Sequence, residues 1–347
     1  MSRVLLLHLD GPLPNIALMR LAAHHRALGD EVDLRHAQTE SALGRGLWEE
    51  HADLVYASCI FSRTKPLAEA LLRLRPDARV GGTGWDIASS LEAIGVTTKD
   101  QDYSVYPNFR ESIGLSMIGC RYRCGFCVVP VKEGAPRANG TLATIWRGPG
   151  TRKVVHLLDN DFLFDLPRAR AIAEEAKALG LAVSLSQGVN VRLIDDEGAA
   201  LLASMDLRAA NGRDRCVYCA WDNLGEEETV MAGLRRLVSA GFKPDEILVY
   251  MLVGYSKRET EADRLYRARK IADFGARPFP MPFRRTPELL GFARYWIKGL
   301  YRPLVSKKTG EVKRRAVAWE EFKRAGYSIR RLSIRERTLP LFVEAAP

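Results

Sequence analysis

Short apolar runs alternate with amphipathic segments along most of the chain, and this alternation constrains the fold more than any other feature. In the first hundred residues the runs at 4–9, 31–34, 54–60 and 79–80 predict strands, and the segments 16–28 and 66–74 predict helices. Strands separated by helices favour a parallel sheet with right-handed crossovers. The sequence therefore predicts the α/β class, with residues 1–105 as a Rossmann-like, doubly wound domain.

The same alternation resumes after a linker at 100–107 that is rich in Asp, Tyr and Pro. Six further strands are predicted, at 112–118, 153–158, 182–185, 215–221, 246–253 and 276–281. Parallel strands bring their carboxyl ends to one edge, where α/β proteins carry their ligand sites. We expect residues 106–285 to form a second domain and residues 286–347 to form a basic, helical C-terminal extension.

Three cysteines, Cys120, Cys124 and Cys127, stand on the loop after the first of these six strands. Thiolates packed this closely can hold three irons of a four-iron cluster and leave the fourth iron without a protein ligand. A structural zinc ion needs four ligands, and no further Cys or His lies near this loop. A disulfide is disfavoured, because three cysteines cannot all pair and no secretory signal is seen.

The spacing Cys-x3-Cys-x2-Cys after a strand, with Phe126 just before the last cysteine, resembles the radical S-adenosylmethionine (radical SAM) superfamily. The resemblance covers about residues 110–285 and implies a partial (β/α)6 barrel. It implies a 4Fe-4S cluster on Cys120, Cys124 and Cys127, with Phe126 near the adenine of SAM. In that family SAM is cleaved reductively to a 5′-deoxyadenosyl radical, which abstracts a hydrogen atom from the substrate. An external one-electron donor of the flavodoxin or ferredoxin type is then implied.

Polar residues recur where the predicted strands end, and the resemblance implies that they contact SAM. In chain order the candidates are Leu158, Asp159 and Asn160 for the ammonium, Gln187, Asn190 and Arg192 for the ribose and carboxylate, and Val253 and Gly254 beside the adenine. The family more often has Gly-Gly-Glu at the first of these places. A competing explanation is that Asp159, Asn160 and Asp222 cap the helices that follow them.

A second cysteine pair, Cys216 and Cys219, lies in an apolar run that ends close to Asp222. Residues three apart on a strand point to opposite faces, and buried packing is the favoured role for both thiols. A thiol that faced the cavity would instead donate a hydrogen atom or capture a radical. Cys216, Cys219 and Asp222 are therefore the catalytic candidates.

The N-terminal domain, with Gly81 and Gly82 in a glycine-rich turn, resembles the cobalamin-binding domain of one radical SAM subgroup. The Asp-x-His-x-x-Gly sequence that supplies a histidine to cobalt in that subgroup is absent from this chain. Ordinary turn glycines explain the cluster equally well. Cobalamin-assisted methyl transfer is therefore the variant reaction, and any cobalamin is expected to bind without a histidine below the cobalt.

Positive charge is concentrated near the C-terminus. The chain has a net charge of +10, and residues 281–337 hold sixteen Lys or Arg against five Glu. Such asymmetry favours nucleic acid or another anionic substrate, while a solvated basic extension is the plainer alternative. We expect the aromatic stripe at 289–300 to pack this extension in place and Lys313, Arg314 and Arg315 to lie on a loop.

The composition is that of an ordinary globular protein, with 47% hydrophobic and 27% charged residues. No apolar run reaches the length of a membrane span, so we expect a cytoplasmic protein without a membrane partner. The leading hypothesis is hydrogen abstraction by a radical SAM enzyme on a substrate that the sequence does not identify. Its rival is a nucleic-acid-binding module whose cysteines hold a structural or redox-sensing metal.

Overall fold

Parallel strands separated by helices build the fold, as the alternation of apolar runs predicts. The computed structural model describes residues 1–47, 52–306 and 308–329. Residues up to Gln187 form one compact unit, and the described residues from Gly188 onward form a second. The boundaries predicted at 105 and 285 stay a prediction, and Lys307 and the end of the extension after residue 329 lie outside the described residues.

The first unit contains nine strands and six helices among its described residues. The strands are β1 Arg3–His8, β2 Glu31–His36, β3 Leu54–Ser58, β4 Arg79–Gly81, β5 Ser112–Gly114, β6 Met117–Ile118, β7 Arg137–Ala138, β8 Val154–Leu157 and β9 Ala182–Ser184. The helices are α1 Ile16–Ala27, α2 Glu40–Leu47, α3 Lys65–Leu74, α4 Val129–Lys132, α5 Leu142–Ile145 and α6 Leu166–Leu179.

In the second unit, strands again alternate with helices up to the C-terminal extension. The strands are β10 Val217–Ala220, β11 Ile247–Val253, β12 Arg277–Pro282, β13 Leu304–Val305 and β14 Val312–Arg314. The helices are α7 Asp196–Ser204, α8 Glu227–Ser239, α9 Glu261–Asp273, α10 Pro287–Ile297 and α11 Trp319–Arg324. In the part of the chain that the structure describes, we find no helix both long and apolar enough to cross a bilayer.

The N-terminal sheet is parallel, with strand order β2-β1-β3-β4, and both of its faces are covered. Leu5 of β1 packs in the cluster that contains Leu71 of α3, while Leu6 packs in the cluster that contains Leu21 of α1. Apolar residues on both faces are what a buried parallel strand requires. The predicted α/β class with a parallel sheet is confirmed for these strands and helices.

All six strands predicted after the linker are present, in two parallel sheets with orders β5-β8-β9 and β10-β11-β12. The prediction of one continuous strand over 112–118 is wrong. β5 ends at Gly114, and Met117–Ile118 pairs antiparallel with β7. The break is caused by a tertiary contact, because the backbone N–H of Ser116 donates to the carboxylate of Asp159 at 2.7 Å instead of to a strand.

The C-terminal extension packs through α10, as the aromatic stripe predicts, and Tyr295 and Trp296 are buried. The predicted loop over Lys313 and Arg314 is wrong, because both residues belong to β14, which pairs antiparallel with β13. The guanidinium of Arg314 also donates to the carbonyl of Gly299 at 2.7 Å. These hydrogen bonds give the basic segment an extended, paired backbone.

Candidate cluster and cofactor site

The three cysteines lie on the loop that joins β6 to β7, and this strand pair closes the loop at its base. Gly119, which opens the loop, has φ +88°, and a Cβ there would lie 2.4 Å from the carbonyl oxygen of Ala135. Only glycine fits such a conformation and approach. The backbone N–H of Cys120 then donates to the carbonyl of Gly134 at 3.2 Å. These contacts hold the two ends of this cysteine loop next to each other.

Cys120, Cys124 and Cys127 are half-buried, and none of them forms a disulfide with a described residue. Burial raises the pKa of the Cys120 thiol, and the negative charges of Asp161, Cys124 and Cys127 raise it further. The charges of Cys124 and Cys127 act on Cys120 because all three residues lie on the same loop. The N–H of Tyr122 donates to Cys120 Sγ at 3.5 Å, a hydrogen bond that would stabilise a bound thiolate. The loop therefore presents three adjacent sulfur donors.

Three cysteine thiolates are a donor set that a four-iron cluster takes. In a four-iron cluster each cysteine binds a different iron, so the sulfurs surround the cluster and do not converge on one point. Across residues 1–47, 52–306 and 308–329, no three His, Cys, Asp or Glu side chains converge on a single ion.

The residues after β8 hold the base of the cysteine loop. Asp159 is 2% exposed, and its carboxylate accepts both the N–H and the hydroxyl of Ser116. Asn160 Nδ2 donates to Glu133 Oε2 at 3.2 Å, and the same oxygen accepts the N–H of Gly119 at 2.7 Å. Successive residues after β8 thus bind the start and the end of the loop.

Asp161 makes the strongest of these contacts, with the residue that follows Cys120. Its buried carboxylate accepts Arg121 Nε at 2.6 Å and Arg121 Nη2 at 3.0 Å, a bidentate pair. The Arg121 guanidinium also lies over the ring of Phe164, 4.9 Å from its centroid. Bidentate pairs fix orientation as well as distance. Arg121 and Asp161 therefore fix the backbone beside the first cysteine.

The predicted alternative that strand-end residues cap the next helices is wrong. Asp165 caps α6 by accepting the N–H of Arg168, and Asn223 caps the short turn at Gly225. Asp159 instead binds Ser116, and burial raises the pKa of its carboxyl to about 6. The predicted contact of Asp159 with the SAM ammonium stays a prediction.

The other first-unit candidates are Phe126, Leu158 and Gln187, and they differ in burial. Phe126 is half-buried on the loop itself, and Gln187 is exposed. Leu158 packs against the cluster that contains Met19 and Tyr106, with its N–H donating to the carbonyl of Gly114 at 2.8 Å. Their predicted contacts with SAM stay predictions.

In the second unit, the candidates after β9 are joined to each other. Arg192 Nε donates to Asn190 Oδ1 at 3.3 Å, and the Arg192 guanidinium pairs with Glu226. Asp222 accepts the N–H of Leu252 at 2.8 Å, and burial raises the pKa of the Asp222 carboxyl. A carboxyl with a raised pKa holds its proton more readily, which is the property of a general acid.

The end of β11 is held in one conformation by a glutamate. Val253 is buried, and Gly254 has φ +78° with its N–H donating to Glu259 Oε2 at 2.6 Å. A Cβ on Gly254 would lie 2.3 Å from Leu289 Cδ1. The turn therefore needs glycine whether or not adenine packs beside it.

Sequence reasoning missed Arg267, which ties β10 to β11. Arg267 is 1% exposed, donates to the carbonyls of Trp221 at 2.8 Å and Leu252 at 3.0 Å, and pairs with Glu259. The one available signal was an arginine on the apolar face of α9, directly before Ala268. Ser116 and Glu133 were missed as well, and no spacing in the sequence marks them.

The second cysteine pair is fully packed. Cys216 is 1% exposed and Cys219 is 0% exposed. Arg277 Nη2 donates to Cys216 Sγ at 3.1 Å, yet burial still raises the pKa of Cys216 to about 11, and burial also raises that of Cys219. Both thiols are therefore uncharged near neutral pH, which suits packing; their predicted catalytic role stays a prediction.

The carboxyl edge of the N-terminal sheet is closed by the chain itself. Buried Asp10 accepts the hydroxyl of Thr64 at 2.5 Å and the N–H of Phe61 at 3.4 Å. A Cβ on Gly82 would lie 2.4 Å from the carbonyl oxygen of Cys59, so this glycine serves close packing of two loops. These contacts explain the glycine cluster without cobalamin, and nothing in them is specific to a corrin ring.

Comparison with known proteins gives one solved structure of the same fold. No model of a known protein family matches the chain, and no curated protein matches it. The structure of the apo, selenomethionine-labelled cobalamin-dependent S-adenosylmethionine radical enzyme OxsB superposes with a TM-score of 0.52 at 14% identity. The chain shares a radical SAM-like fold. The match covers 79% of this chain and 51% of OxsB, so this chain spans about half of that enzyme's length.

Proposed function

We propose that the protein is a radical SAM enzyme, with one iron of a 4Fe-4S cluster on each of Cys120, Cys124 and Cys127. The observation that carries the proposal is the set of three neighbouring half-buried thiols on a closed loop, within a radical SAM-like fold. When bound, the cluster and SAM supply the reductive cleavage and the radical that abstracts hydrogen.

The chain's own contribution is to hold these sulfurs in place. Asp159 binds Ser116, which directly precedes β6, while Asn160 and Asp161 bind the cysteine loop itself at Glu133 and Arg121. Two of the three contacts involve carboxylates that are at most 2% exposed. Ligand residues held by supporting hydrogen bonds bind metals more tightly than free loops do. The residues after β8 are therefore positioning residues for the cluster.

The test is anaerobic reconstitution followed by iron and sulfide analysis, visible spectroscopy and an assay for 5′-deoxyadenosine. We expect the wild-type protein to bind iron and to cleave SAM under reduction, and Cys124→Ala to lose both properties. Cys59→Ala is the matched control, because Cys59 is a buried cysteine in the N-terminal domain, and it should keep both. Zinc without iron in the wild-type protein, or no cleavage of SAM, would overturn the proposal.

Cobalamin-dependent methyl transfer is the alternative reaction, favoured by the fold shared with a cobalamin-dependent enzyme. Titration with hydroxocobalamin tests it. We expect any bound cobalamin to lack an imidazole on cobalt, because the histidine sequence is missing and His8 is 1% exposed. If hydroxocobalamin does not bind, the N-terminal domain has a structural role only, and the proposal of SAM cleavage is unaffected.

The proposed partners are a flavodoxin-type or ferredoxin-type electron donor and an anionic substrate or nucleic acid at the basic extension. The extension offers less free charge than its sequence suggests, because Arg315 pairs with Glu321 and Arg314 bonds to the backbone. The Lys313 side chain makes no hydrogen bond or ion pair with any described residue. If nucleic acid binds here, Lys313→Gln should flatten the salt dependence of its affinity more than Arg315→Gln does. Equal slopes for both variants and the wild type would rule out this surface.

A further inference from the structure

Two loops at the carboxyl edge of the β10-β11-β12 sheet carry a concentration of exposed positive charge. The loop after β11 contains Lys257 and Arg258, and the loop after β12 contains Arg284 and Arg285. All four residues are exposed. None of their side chains forms a hydrogen bond or an ion pair with a residue in 1–47, 52–306 or 308–329. We call residues 255–258 and 284–285 the cationic edge.

The two loops of the cationic edge lie side by side. They follow paired parallel strands, and neighbouring strands are about 4.8 Å apart. The backbone N–H of Phe283 donates to the carbonyl of Val253 at 2.9 Å, which joins the start of one loop to the start of the other. The rings of Tyr255 and Phe283 also meet, 4.9 Å apart at 81°. The positive charges of both loops therefore belong to one surface.

The acidic residues next to the cationic edge are paired with arginines of α9 that lie inside the fold. Glu259 pairs with Arg267, which is 1% exposed, and Glu259 Oε2 accepts the N–H of Gly254 at 2.6 Å. Glu288 accepts Arg264 Nη2 at 2.5 Å, and Arg264 is 8% exposed. Because both carboxylates already balance buried charges, neither of them neutralises the cations of the two loops.

The side chains of the cationic edge suit a nucleic acid better than an acidic protein. Tyr255 is 38% exposed, and the bases of a single strand stack on exposed aromatic rings whatever their sequence. Three of the four cations are arginines, whose planar group binds a phosphate through two hydrogen bonds. Residues 255–258 and 284–285 include no aliphatic residue, whereas an interface between proteins has an apolar centre.

We propose that the cationic edge binds single-stranded nucleic acid. Lys257, Arg258, Arg284 and Arg285 contact its phosphates, and Tyr255 stacks on one of its bases. The carboxyl edge of a parallel sheet is where α/β proteins carry their ligand sites. This surface includes neither the cysteine loop nor Lys313 of the C-terminal extension, so the inference goes beyond the proposed function and does not depend on it.

The experiment titrates a short fluorescein-labelled oligodeoxythymidine with the full chain and follows fluorescence anisotropy at several salt concentrations. SAM and reductant are left out, so the outcome does not depend on SAM cleavage. We expect saturable binding, with the logarithm of the affinity falling against the logarithm of the salt concentration at a slope of about −3, since each neutralised phosphate of a single strand contributes about −0.7. Polyglutamate of equal charge, which has no bases, should compete about tenfold more weakly.

Variants at exposed positions locate the binding surface without disturbing the core. The double variant Arg284→Gln, Arg285→Gln removes two of the four cations and should reduce the slope to about half of the wild-type value. The matched control is Arg213→Gln, Arg235→Gln. Arg213 precedes β10 at the amino end of the sheet and Arg235 lies on α8; both are exposed, and neither side chain pairs with a described residue. The control should keep the wild-type slope.

A second pair of variants tests the stacking contact. Tyr255→Ala should weaken oligonucleotide binding about tenfold, whereas Tyr255→Phe keeps the ring and should bind nearly as the wild type does. Wild-type affinity in Tyr255→Ala, equal competition by polyglutamate, no saturation at low salt, or equal slopes for the two double variants would each overturn the proposal. Binding that Lys313→Gln weakens and that the loop variants leave unchanged would assign the nucleic acid to the C-terminal extension, and would also overturn it.

Discussion

At two sheet edges in the first unit a buried aspartate holds a neighbouring loop, but the two loops carry different side chains. Asp10 follows β1 and Asp159 follows β8, and both are 2% exposed. Each carboxylate accepts a backbone N–H and a hydroxyl from a neighbouring loop, from Phe61 and Thr64 at the first edge and from Ser116 at the second. At the first edge the held segment closes over the sheet. At the second edge it leads into a loop with three half-buried thiols.

The difference shows that a buried aspartate at a strand end does not by itself identify a ligand site. In both places it supplies acceptors for the backbone donors of a loop that would otherwise lack partners. What each loop can bind depends on the side chains that follow the residue held by the aspartate. Cys59 beside the first edge is fully buried, whereas Cys120 beyond the second is half-buried.

The largest expected effect is a loss of bound iron, which should occur for a variant at the second edge and not for one at the first. Asp161→Asn breaks the bidentate pair with Arg121, so we expect loss of most of the bound iron. We also expect a loss of about 2–3 kcal/mol in unfolding free energy, below the usual range for buried pairs because Arg121 is partly exposed. Asp10→Asn is the control and should lower stability while keeping iron. Equal iron loss in both variants, measured by metal analysis after reconstitution, would contradict a specific role for the second edge.

The next effect is the pH dependence of the unfolding free energy that arises from His8 at the first edge. His8 is buried against Tyr106 and His36, and burial lowers its pKa from 6.5 to about 4. As the pH falls below 6.5 the unfolded chain takes up the proton first, so stability is lost down to about pH 4. The expected loss is about 3 kcal/mol. His8→Gln should reduce this loss in urea titrations at pH 7, 5.5 and 4.5, and an unchanged pH profile would count against it.

At the second edge we expect the free energy of unfolding to depend on pH in the opposite direction. Burial raises the pKa of Asp159 from 3.8 to about 6, so the folded protein holds a proton that the unfolded chain has released. Asp159 makes its full contribution to the unfolding free energy below pH 3.8, and that contribution is lost as the pH rises through 6. Between pH 4.5 and 7 we expect a loss of about 2 kcal/mol in the cluster-free protein. Asp159→Asn should remove it, and a variant that follows the wild-type profile would exclude Asp159 as the source.

The smallest expected effect concerns the contact between the cysteine loop and the loop after β4. Lys132 Nζ of α4 donates to the carbonyls of Ile87, at 2.9 Å, and Ser89. Lys132→Met keeps the aliphatic stem and removes the donor. We expect a loss of about 1 kcal/mol in unfolding free energy, the usual net value of such a bond, with unchanged iron content. Loss of iron in this variant would show that the two edges are coupled.

Local features of the sequence were sufficient for much of the fold and for the central part of the site. The alternation of runs predicted the strands of all three parallel sheets, because the period of apolar residues is a property of each segment alone. The three thiols lie within eight residues of one loop, so chain connectivity alone brings them together. Gly180 ends α6 with φ +62°, the left-handed conformation that glycine favours directly after a helix.

Only the tertiary structure decided which distant groups meet. Ser116 and Asp159 are 43 positions apart, and Arg121 and Asp161 are 40 apart, yet these pairs hold the cysteine loop and end β5 early. The aromatic stripe of α10 was predicted as core, but Trp319 of α11 joins it only after these helices pack. Periodicity and spacing follow from backbone geometry within a segment. The partners of a buried charge depend on which loops come together, and no single stretch of sequence specifies that.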